Sequence, residues 1–114
     1  KVAHLAKLLL KHGVPSAVSL VSPYLENRQK AREIIDAGDQ FAECYVKCSL
    51  AKCEERDVKG MYAKARKGEI KGFTGIDDPY EAPEKADLVI DTENEPLSES
   101  ANKVKEFLKG RNLI

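Results

Sequence analysis

The 114-residue sequence predicts a single α/β domain with a parallel sheet and flanking helices, and three observations lead to this class. Helical and strand-like patterns alternate in the order α-β-α-β-α-α-loop-β-α. The first strand-like segment is apolar enough to be buried on both faces, as strands of parallel sheets are. The length suits one domain. Three strands make a thin sheet, because doubly wound domains usually have about five.

The first half of the chain begins with a helix over residues 1–12, where apolar side chains repeat at helical spacing and Gly13 suits the end. Residues 14–22 read as the first strand. Pro23 then fits the first position of a second helix, since its missing N–H would be unpaired there anyway. That helix runs to about Ala37, and the glycine after it closes it.

Residues 41–48 read as the second strand, and Ser49 is placed to cap a short helix over 50–55. A basic, weakly amphipathic helix covers 58–68. The irregular segment 71–84, KGFTGIDDPYEAPE, follows with neither helical nor strand periodicity. We call residues 58–84 the lid.

The chain closes with a third strand over 87–92 and a last helix over 97–109. One face of this helix is apolar, which predicts that it packs on the sheet. The residues of that face are Leu97, Ala101, Val104 and Leu108, with Phe107 beside them.

Charge and cysteine content exclude several classes. Nineteen basic and nineteen acidic residues leave no net charge to attract nucleic acid or an anionic membrane, and no apolar run approaches the roughly 20 residues that span a bilayer. Cys44, Cys48 and Cys53 are odd in number, which suits reduced thiols in the cytoplasm. Their spacing is not a recognised zinc pattern, so we expect no metal site among them.

Ser22 is the first candidate site residue, because it ends a strand and Arg28 lies on the helix that follows. A hydroxyl in that place can meet a phosphate. The alternative is a turn residue that caps backbone. His4 and His12 on the first helix are interpreted as structural or exposed.

Basic side chains cluster in the lid, and several donors converging on one anion could hold a polyphosphate or a sulfate. The alternative is a solvated helix face. The cluster comprises Lys59, Lys64, Arg66, Lys67 and Lys71.

Two further candidates concern adenine. Arg56 follows a short helix and could stack on an adenine ring, or pair with Asp57 or Glu54 instead. Phe73, flanked by Gly72, lies in a segment without core periodicity and could be a base-stacking platform or a loop anchor on the core. The residues alone therefore indicate part of an α/β domain with a mobile basic lid for an anionic nucleotide.

Two stretches resemble one known family. VSPYLENR is similar to its Ile-Ser-Pro-Tyr/His-x-x-x-Arg motif, and CEERDVKGMYAKARKGEIKGFTGIDDPYEAPE is similar over its whole length to its lid signature. The helix at 1–12 also resembles the family's helix before the Ser-Pro strand. The chain is thereby identified as similar to the carboxyl-terminal portion of an adenylylsulfate kinase.

This resemblance implies a P-loop kinase fold and transfer of the ATP γ-phosphoryl group to the 3′-hydroxyl of adenylyl sulfate, in sulfate assimilation. It implies ATP with Mg²⁺ as cofactor and a homodimer. Some members are fused to a sulfate adenylyltransferase. By position, Val21 and Ser22 would contact adenylyl sulfate, and Ser22 matches a serine that some members phosphorylate.

The lid matches carry further implied roles. Lys59 corresponds to the lysine that reaches the bound anions. Lys59 and Ser22 are therefore the two candidate catalytic residues. Gly72 and Phe73 correspond to the pair that holds the substrate adenine. Arg56 corresponds to the arginine placed against the ATP adenine.

The sequence departs from the family in one large respect: no GxxxxGK[ST] phosphate loop occurs in it. We expect the phosphate and metal ligands upstream of Lys1, where family members carry them. The competing interpretation is a catalytically incomplete nucleotide-binding or regulatory domain. An RNA-binding module is disfavoured by the balanced charge. Among smaller changes, Leu25 replaces a residue that is commonly polar or basic.

Overall fold

The computed structural model describes residues 1–113, and it shows five α-helices and a two-stranded parallel sheet in that range. The helices and strands, in chain order, are α1 Val2–Lys11, α2 Leu25–Ile35, β1 Cys44–Lys47, α3 Leu50–Arg56, α4 Met61–Arg66, β2 Leu88–Asp91 and α5 Leu97–Gly110. A short 3₁₀ turn over Gly38–Gln40 leads into β1. The α/β class with a parallel sheet and flanking helices is confirmed.

The sheet pairs β1 with β2 in parallel, with Cys44 opposite Leu88 and Lys47 opposite Asp91. Because parallel strands need a long crossover, the chain between them has room for α3, α4 and the lid. Both strands end on the same edge, and the lid returns beside that edge. The buried side chain of the sheet is Ile90.

The predicted first strand is wrong for this chain: residues 14–22 form no strand and make no ladder hydrogen bonds within the described residues. Pro15 has no N–H to donate. Nor are the apolar side chains buried on both faces, since Val18 is 52% exposed and Val21 is 66% exposed. The apolar pattern alone therefore does not identify a strand here, because it does not specify a pairing partner.

The second helix begins and ends elsewhere than predicted. Tyr24 is its N-cap, so Pro23 lies one residue before the cap and is not the first helical residue. At the other end Asp36 takes a left-handed conformation (φ 47°) and its N–H donates to the Arg32 carbonyl, which closes the helix before Gly38. Aspartate tolerates this conformation better than most residues. In contrast, the predicted Ser49 cap is confirmed, with Oγ accepting from the Lys52 N–H at 3.2 Å.

The outer helices pack on the two sides of the domain: α1 contacts α2, and α5 contacts β2. The inward face of α5 differs from the predicted stripe. Leu97 is 85% exposed, whereas Ser100 is buried and donates a hydrogen bond to Glu95 Oε2 at 3.0 Å. No helix among residues 1–113 is both long enough and apolar enough to cross a membrane.

Asp87, directly before β2, connects three parts of the fold. Its carboxylate accepts from the Glu43 backbone N–H at 2.7 Å, from Arg32 of α2 at 2.8 Å and from Arg111 after α5 at 3.0 Å. Burial raises the pKa of this carboxyl, but the three donors outweigh burial and hold the pKa below its usual range. This connection lies at the amino-terminal end of the sheet.

Candidate functional site

A cavity of about 530 Å³ lies between the end of β1, helix α3 and the lid. Ligand sites of α/β domains form at this edge, beyond the carboxyl ends of the strands. Its volume is in the range of small-molecule sites. The residues that line it are Val21, Tyr45, Val46, Cys48, Leu50, Cys53, Tyr62, Ile70, Lys71, Gly72, Phe73, Thr74, Gly75 and Tyr80.

Two aromatic pairs form much of the wall. Tyr62 of α4 meets Phe73 edge to face, with ring centroids 4.9 Å apart and planes at 70°. Tyr45 of β1 stacks on Tyr80, with centroids 6.2 Å apart and planes at 22°. Sequence reasoning singled out Phe73 alone; the other three became visible as a set only when the fold brought β1 and the lid together.

The irregular segment around Phe73 is a compact turn. The Phe73 carbonyl accepts from the N–H groups of Ile76, Asp77 and Asp78, and the Phe73 N–H donates to Asp77 Oδ2 at 3.0 Å. Gly72 has a φ of 67°, a conformation that side chains disfavour, so glycine there allows the chain to enter the turn. These hydrogen bonds hold the backbone of Phe73 in place, and its side chain lines the cavity.

Lys59 lies in the turn between α3 and α4, and its exposed side chain has no ionic or hydrogen-bond partner within the described residues. The turn is held by Asp57, whose carboxylate accepts from the N–H groups of Tyr62 at 2.9 Å and Ala63 at 3.1 Å. Gly60 closes it with a left-handed φ of 67°. Asp57 thereby fixes the backbone turn from which the Lys59 side chain extends. The sequence suggested Asp57 only as a salt-bridge partner of Arg56.

Arg56 does not pair with Asp57 or Glu54. Its Nη2 donates to the Thr92 carbonyl at 2.8 Å, and its Nη1 lies 3.9 Å from Cys48 Sγ, so its side chain spans from α3 to the end of β2. Glu54 pairs instead with Arg66 at 2.6 Å, which removes Arg66 from the basic cluster. Of that cluster, Lys71 lines the cavity.

Val21 and Ser22, in the segment before α2, differ in their relation to the cavity. Val21 lines the cavity, whereas Ser22 lies beside it with a left-handed φ of 39°. The Ser22 carbonyl accepts from Arg28 Nη1 at 2.6 Å. The hydroxyl caps no helix, since α2 has no side-chain cap, and this disagrees with the capping alternative.

Three titratable groups of the wall have a raised pKa. Burial raises the pKa of the Cys53 thiol, and contact with Cys48 raises it further. Burial likewise raises the pKa of Tyr62, and the neighbouring Cys53 adds to the effect. Burial is also the main cause that raises the pKa of Tyr80. The Cys53 thiol and the Tyr62 and Tyr80 phenols are therefore uncharged at neutral pH, which suits this part of the wall to a flat, neutral ring. Lys71 is the lining residue that carries a charge.

His4 lies elsewhere, in a second cleft of about 490 Å³ between α1 and the end of α2. Lys7, Lys11 and Asp36 border the same cleft. No predicted site residue of the lid or of the Ser-Pro turn reaches it. The cavity at the end of β1 is therefore the candidate site: it brings together Val21, Gly72 and Phe73 and leaves Ser22, Lys59 and Arg56 at or beyond its border.

Comparison with known proteins identifies the family to which the chain is similar. The family described as "Adenylylsulphate kinase" matches residues 1–91. The chain is 51% identical over 109 residues to the adenylyl-sulfate kinase of Halothermothrix orenii, covering 96% of this chain and 57% of the relative. It is 46% identical over 114 residues to that of Oceanobacillus iheyensis, again covering 57% of the relative.

Among solved structures, the chain is similar to the Mycobacterium tuberculosis APS kinase CysC in complex with AMPPNP and APS. The TM-score is 0.86 at 42% identity, and the match covers 94% of this chain and 62% of that one. The chain thus spans a little over half the length of the relatives that it matches.

Proposed function

The chain belongs to the adenylylsulphate kinase family, and on this premise we propose that the protein transfers the γ-phosphoryl group of ATP to the 3′-hydroxyl of adenylyl sulfate. The observation that carries the proposal is the cavity at the end of β1, which the family's lid signature closes with Gly72 and Phe73. A similar kinase has been solved with AMPPNP and APS bound, which supports this pair of nucleotides.

The acceptor adenine would occupy the aromatic part of the cavity. The edge-to-face contact of Tyr62 with Phe73 restricts the Phe73 ring, which favours stacking over hydrogen-bond readout. Gly72 lets the backbone approach the base closely, and Val21, another lining residue, would contact adenylyl sulfate. The thiol of Cys53 and the phenol of Tyr62 are neutral and add no negative charge beside the base.

The anionic groups would lie at the border of the cavity. The exposed, unpartnered ammonium of Lys59 is available to neutralise charge that develops on the transferred group, which is the main requirement of phosphoryl transfer. Ser22 supplies a hydroxyl on the other side. When the lid closes, it would also exclude the water that competes with the acceptor.

Fewer residues of this chain are assigned to ATP than to adenylyl sulfate. Arg56 is proposed to lie against the ATP adenine, which would require its guanidinium face to remain available while Nη2 binds the Thr92 carbonyl. Mg²⁺ would accompany ATP, but residues 1–113 contain no cluster of three or more His, Cys, Asp or Glu side chains suited to a metal ion. We therefore assign no residue of this chain to the metal.

The family resemblance further supports a cytoplasmic, dimeric protein that acts in sulfate assimilation, with a fused or associated sulfate adenylyltransferase as its partner. The balanced charge supports no nucleic-acid partner. Sedimentation of the purified protein would test the dimer: a single species of one-chain mass would contradict it.

The test of the activity uses the protein encoded by its complete gene. With ATP, Mg²⁺ and adenylyl sulfate we expect equal amounts of ADP and 3′-phosphoadenylyl sulfate, measured by ion-pair chromatography. The 3′-deoxy analogue of adenylyl sulfate is the control acceptor, since it should bind and yield no phosphorylated product. ADP formation that does not depend on the acceptor would overturn the proposal.

The second candidate is a nucleotide-binding or regulatory domain without catalysis. Its signature would be saturable binding of adenylyl sulfate by the same protein with no product formed. Product formation would exclude it.

A further inference from the structure

We propose that Arg28 is a positioning residue that holds two walls of the acceptor cavity at a fixed separation. The inference rests on the proposed function, because it assigns the cavity to adenylyl sulfate. The two walls are the Ser-Pro turn, which contributes Val21, and the return arm of the lid, which contributes Tyr80.

The guanidinium of Arg28 lies between these walls and donates to both. Nη1 donates to the carbonyl of Ser22, next to Val21, at 2.6 Å. Nη2 donates to the carbonyl of Glu81, next to Tyr80. One rigid, planar group thus joins segments that are almost sixty residues apart in sequence.

Further contacts show that Arg28 is confined to this position. Its side chain is only 11% exposed, and Nε lies 3.6 Å from Glu43 Oε2 without a hydrogen bond. The guanidinium carbon is 5.5 Å from the centre of the Tyr80 ring, which in turn stacks on Tyr45 of β1. The lid return is therefore connected through Arg28 to both α2 and the sheet.

Two further hydrogen bonds, each donated by a backbone N–H, join the same segments. We call residues 22–25, 28 and 80–81 the Arg28 junction. The Glu81 N–H donates to the Pro23 carbonyl at 2.8 Å. The Leu25 N–H, the first of α2, donates to Glu81 Oε1 at 2.9 Å. Ser22 has a left-handed φ of 39°, and such a conformation in a residue other than glycine persists only where surrounding contacts hold it.

This arrangement predicts an effect on one nucleotide. If Arg28 is lost, Val21 and Tyr80 are free to separate, and the acceptor loses the wall that Tyr80 contributes. The ATP-side candidate Arg56 is held by Thr92 and Cys48, which the junction does not touch. The KM for adenylyl sulfate should therefore rise while the KM for ATP stays near its original value.

The experiment compares Arg28→Ala, Arg28→Lys and a control on the same helix, Arg32→Ala, in the protein encoded by its complete gene. Arg32 donates to Asp87 and makes no hydrogen bond to a residue that lines the cavity, so its loss should cost stability while the Ser22 and Glu81 contacts of Arg28 remain. We expect Arg28→Ala to raise the KM for adenylyl sulfate about tenfold or more, since hydrogen bonds from charged donors are the strong ones. Arg32→Ala should leave both KM values within twofold.

Arg28→Lys should behave like Arg28→Ala, because a single ammonium cannot form the fork that reaches two carbonyls. A lysine variant with the original KM, or an equal rise of both KM values in Arg28→Ala, would overturn the proposal. Equal changes of the KM for adenylyl sulfate in Arg28→Ala and Arg32→Ala would show that Arg28 only stabilises the fold.

A second measurement does not depend on kinase activity. Hydrogen exchange at the amides of Leu25 and Glu81 reports the junction directly, and we expect both to exchange faster in Arg28→Ala and not in Arg32→Ala. Unchanged exchange would contradict the junction even in an active enzyme. A protein without kinase activity whose Leu25 and Glu81 amides lose protection would refute the proposed function and keep the junction.

Discussion

The rings of Tyr62 and Phe73 meet edge to face, with centroids 4.9 Å apart and planes at 70°. Such a pair is worth about 0.5–1.5 kcal/mol beyond the area it buries. The orientation of the proposed adenine platform therefore depends on α4, a helix of only six residues.

Replacement of Phe73 tests the platform. Stacking of a base on an aromatic ring is worth about 1–3 kcal/mol, so Phe73→Ala should raise the Kd for adenylyl sulfate about 5- to 150-fold, measured by calorimetry. The Kd for ATP should change much less. Phe73→Tyr keeps the ring and should retain most of the affinity. Equal losses for both nucleotides would contradict the assignment.

Replacement of Lys59 tests the neutralising charge. Removing one group that stabilises developing charge commonly costs about a hundredfold or more in kcat, and we expect Lys59→Ala to lower both turnover and acceptor affinity. Lys64→Ala is the matched control, since Lys64 is an exposed lysine of the same lid. A rate equal to that of the original protein would show that Lys59 is simply solvated.

Asp57 should determine the order of the turn that carries Lys59. Its carboxylate accepts from the first N–H groups of α4 as an N-cap does, so Asp57→Ala should cost about 1 kcal/mol and speed hydrogen exchange at Tyr62 and Ala63. Asp57→Asn keeps one acceptor oxygen and should be intermediate. Unaltered exchange at both amides in the alanine variant would argue against capping.

Asp87 should make the stability of the fold depend on pH. Asp87→Asn leaves Arg32 and Arg111 without their carboxylate partner, and we expect the free energy of unfolding at pH 7 to fall by about 2 kcal/mol, measured by urea denaturation.

The pKa of Asp87 is lower in the folded protein than in the unfolded chain. The stabilisation is therefore complete above the unfolded-chain pKa of about 4 and disappears as the pH falls through the lower folded value. The difference between Asp87→Asn and the original protein should shrink in the same range. As a control, Asp39→Asn alters an exposed carboxylate and should change the free energy of unfolding at pH 7 much less than Asp87→Asn does.

Local chemistry explains which parts of the fold could be predicted. The Ser49 cap involves residues three positions apart, and it is present as expected. The strand over 14–22 was inferred from apolar character, which indicates burial without naming the partner, and no partner strand exists among the described residues. The α5 stripe failed at Leu97 because Ser100, satisfied by Glu95, takes the inward position instead.

In the site, too, some residues could be predicted from the sequence and others could not. Phe73 and Gly72 could be found because they lie in one continuous signature, whereas Tyr45 and Tyr80 become neighbours only through pairing of β1 and return of the lid. Arg28 could be noticed as a residue after Ser-Pro. Its contact with Glu81, 53 positions away, could not be read from spacing.

The two ends of the lid are both anchored, at Asp57 and at the Arg28 junction. A segment held at two points rotates about the line that joins them, so the opening of this lid should be a swing about one axis. Its tip, the turn at Phe73, should travel farthest while both anchors stay still. The entropy lost on closure is then that of a single rotation, far less than the cost of ordering a free loop of the same length.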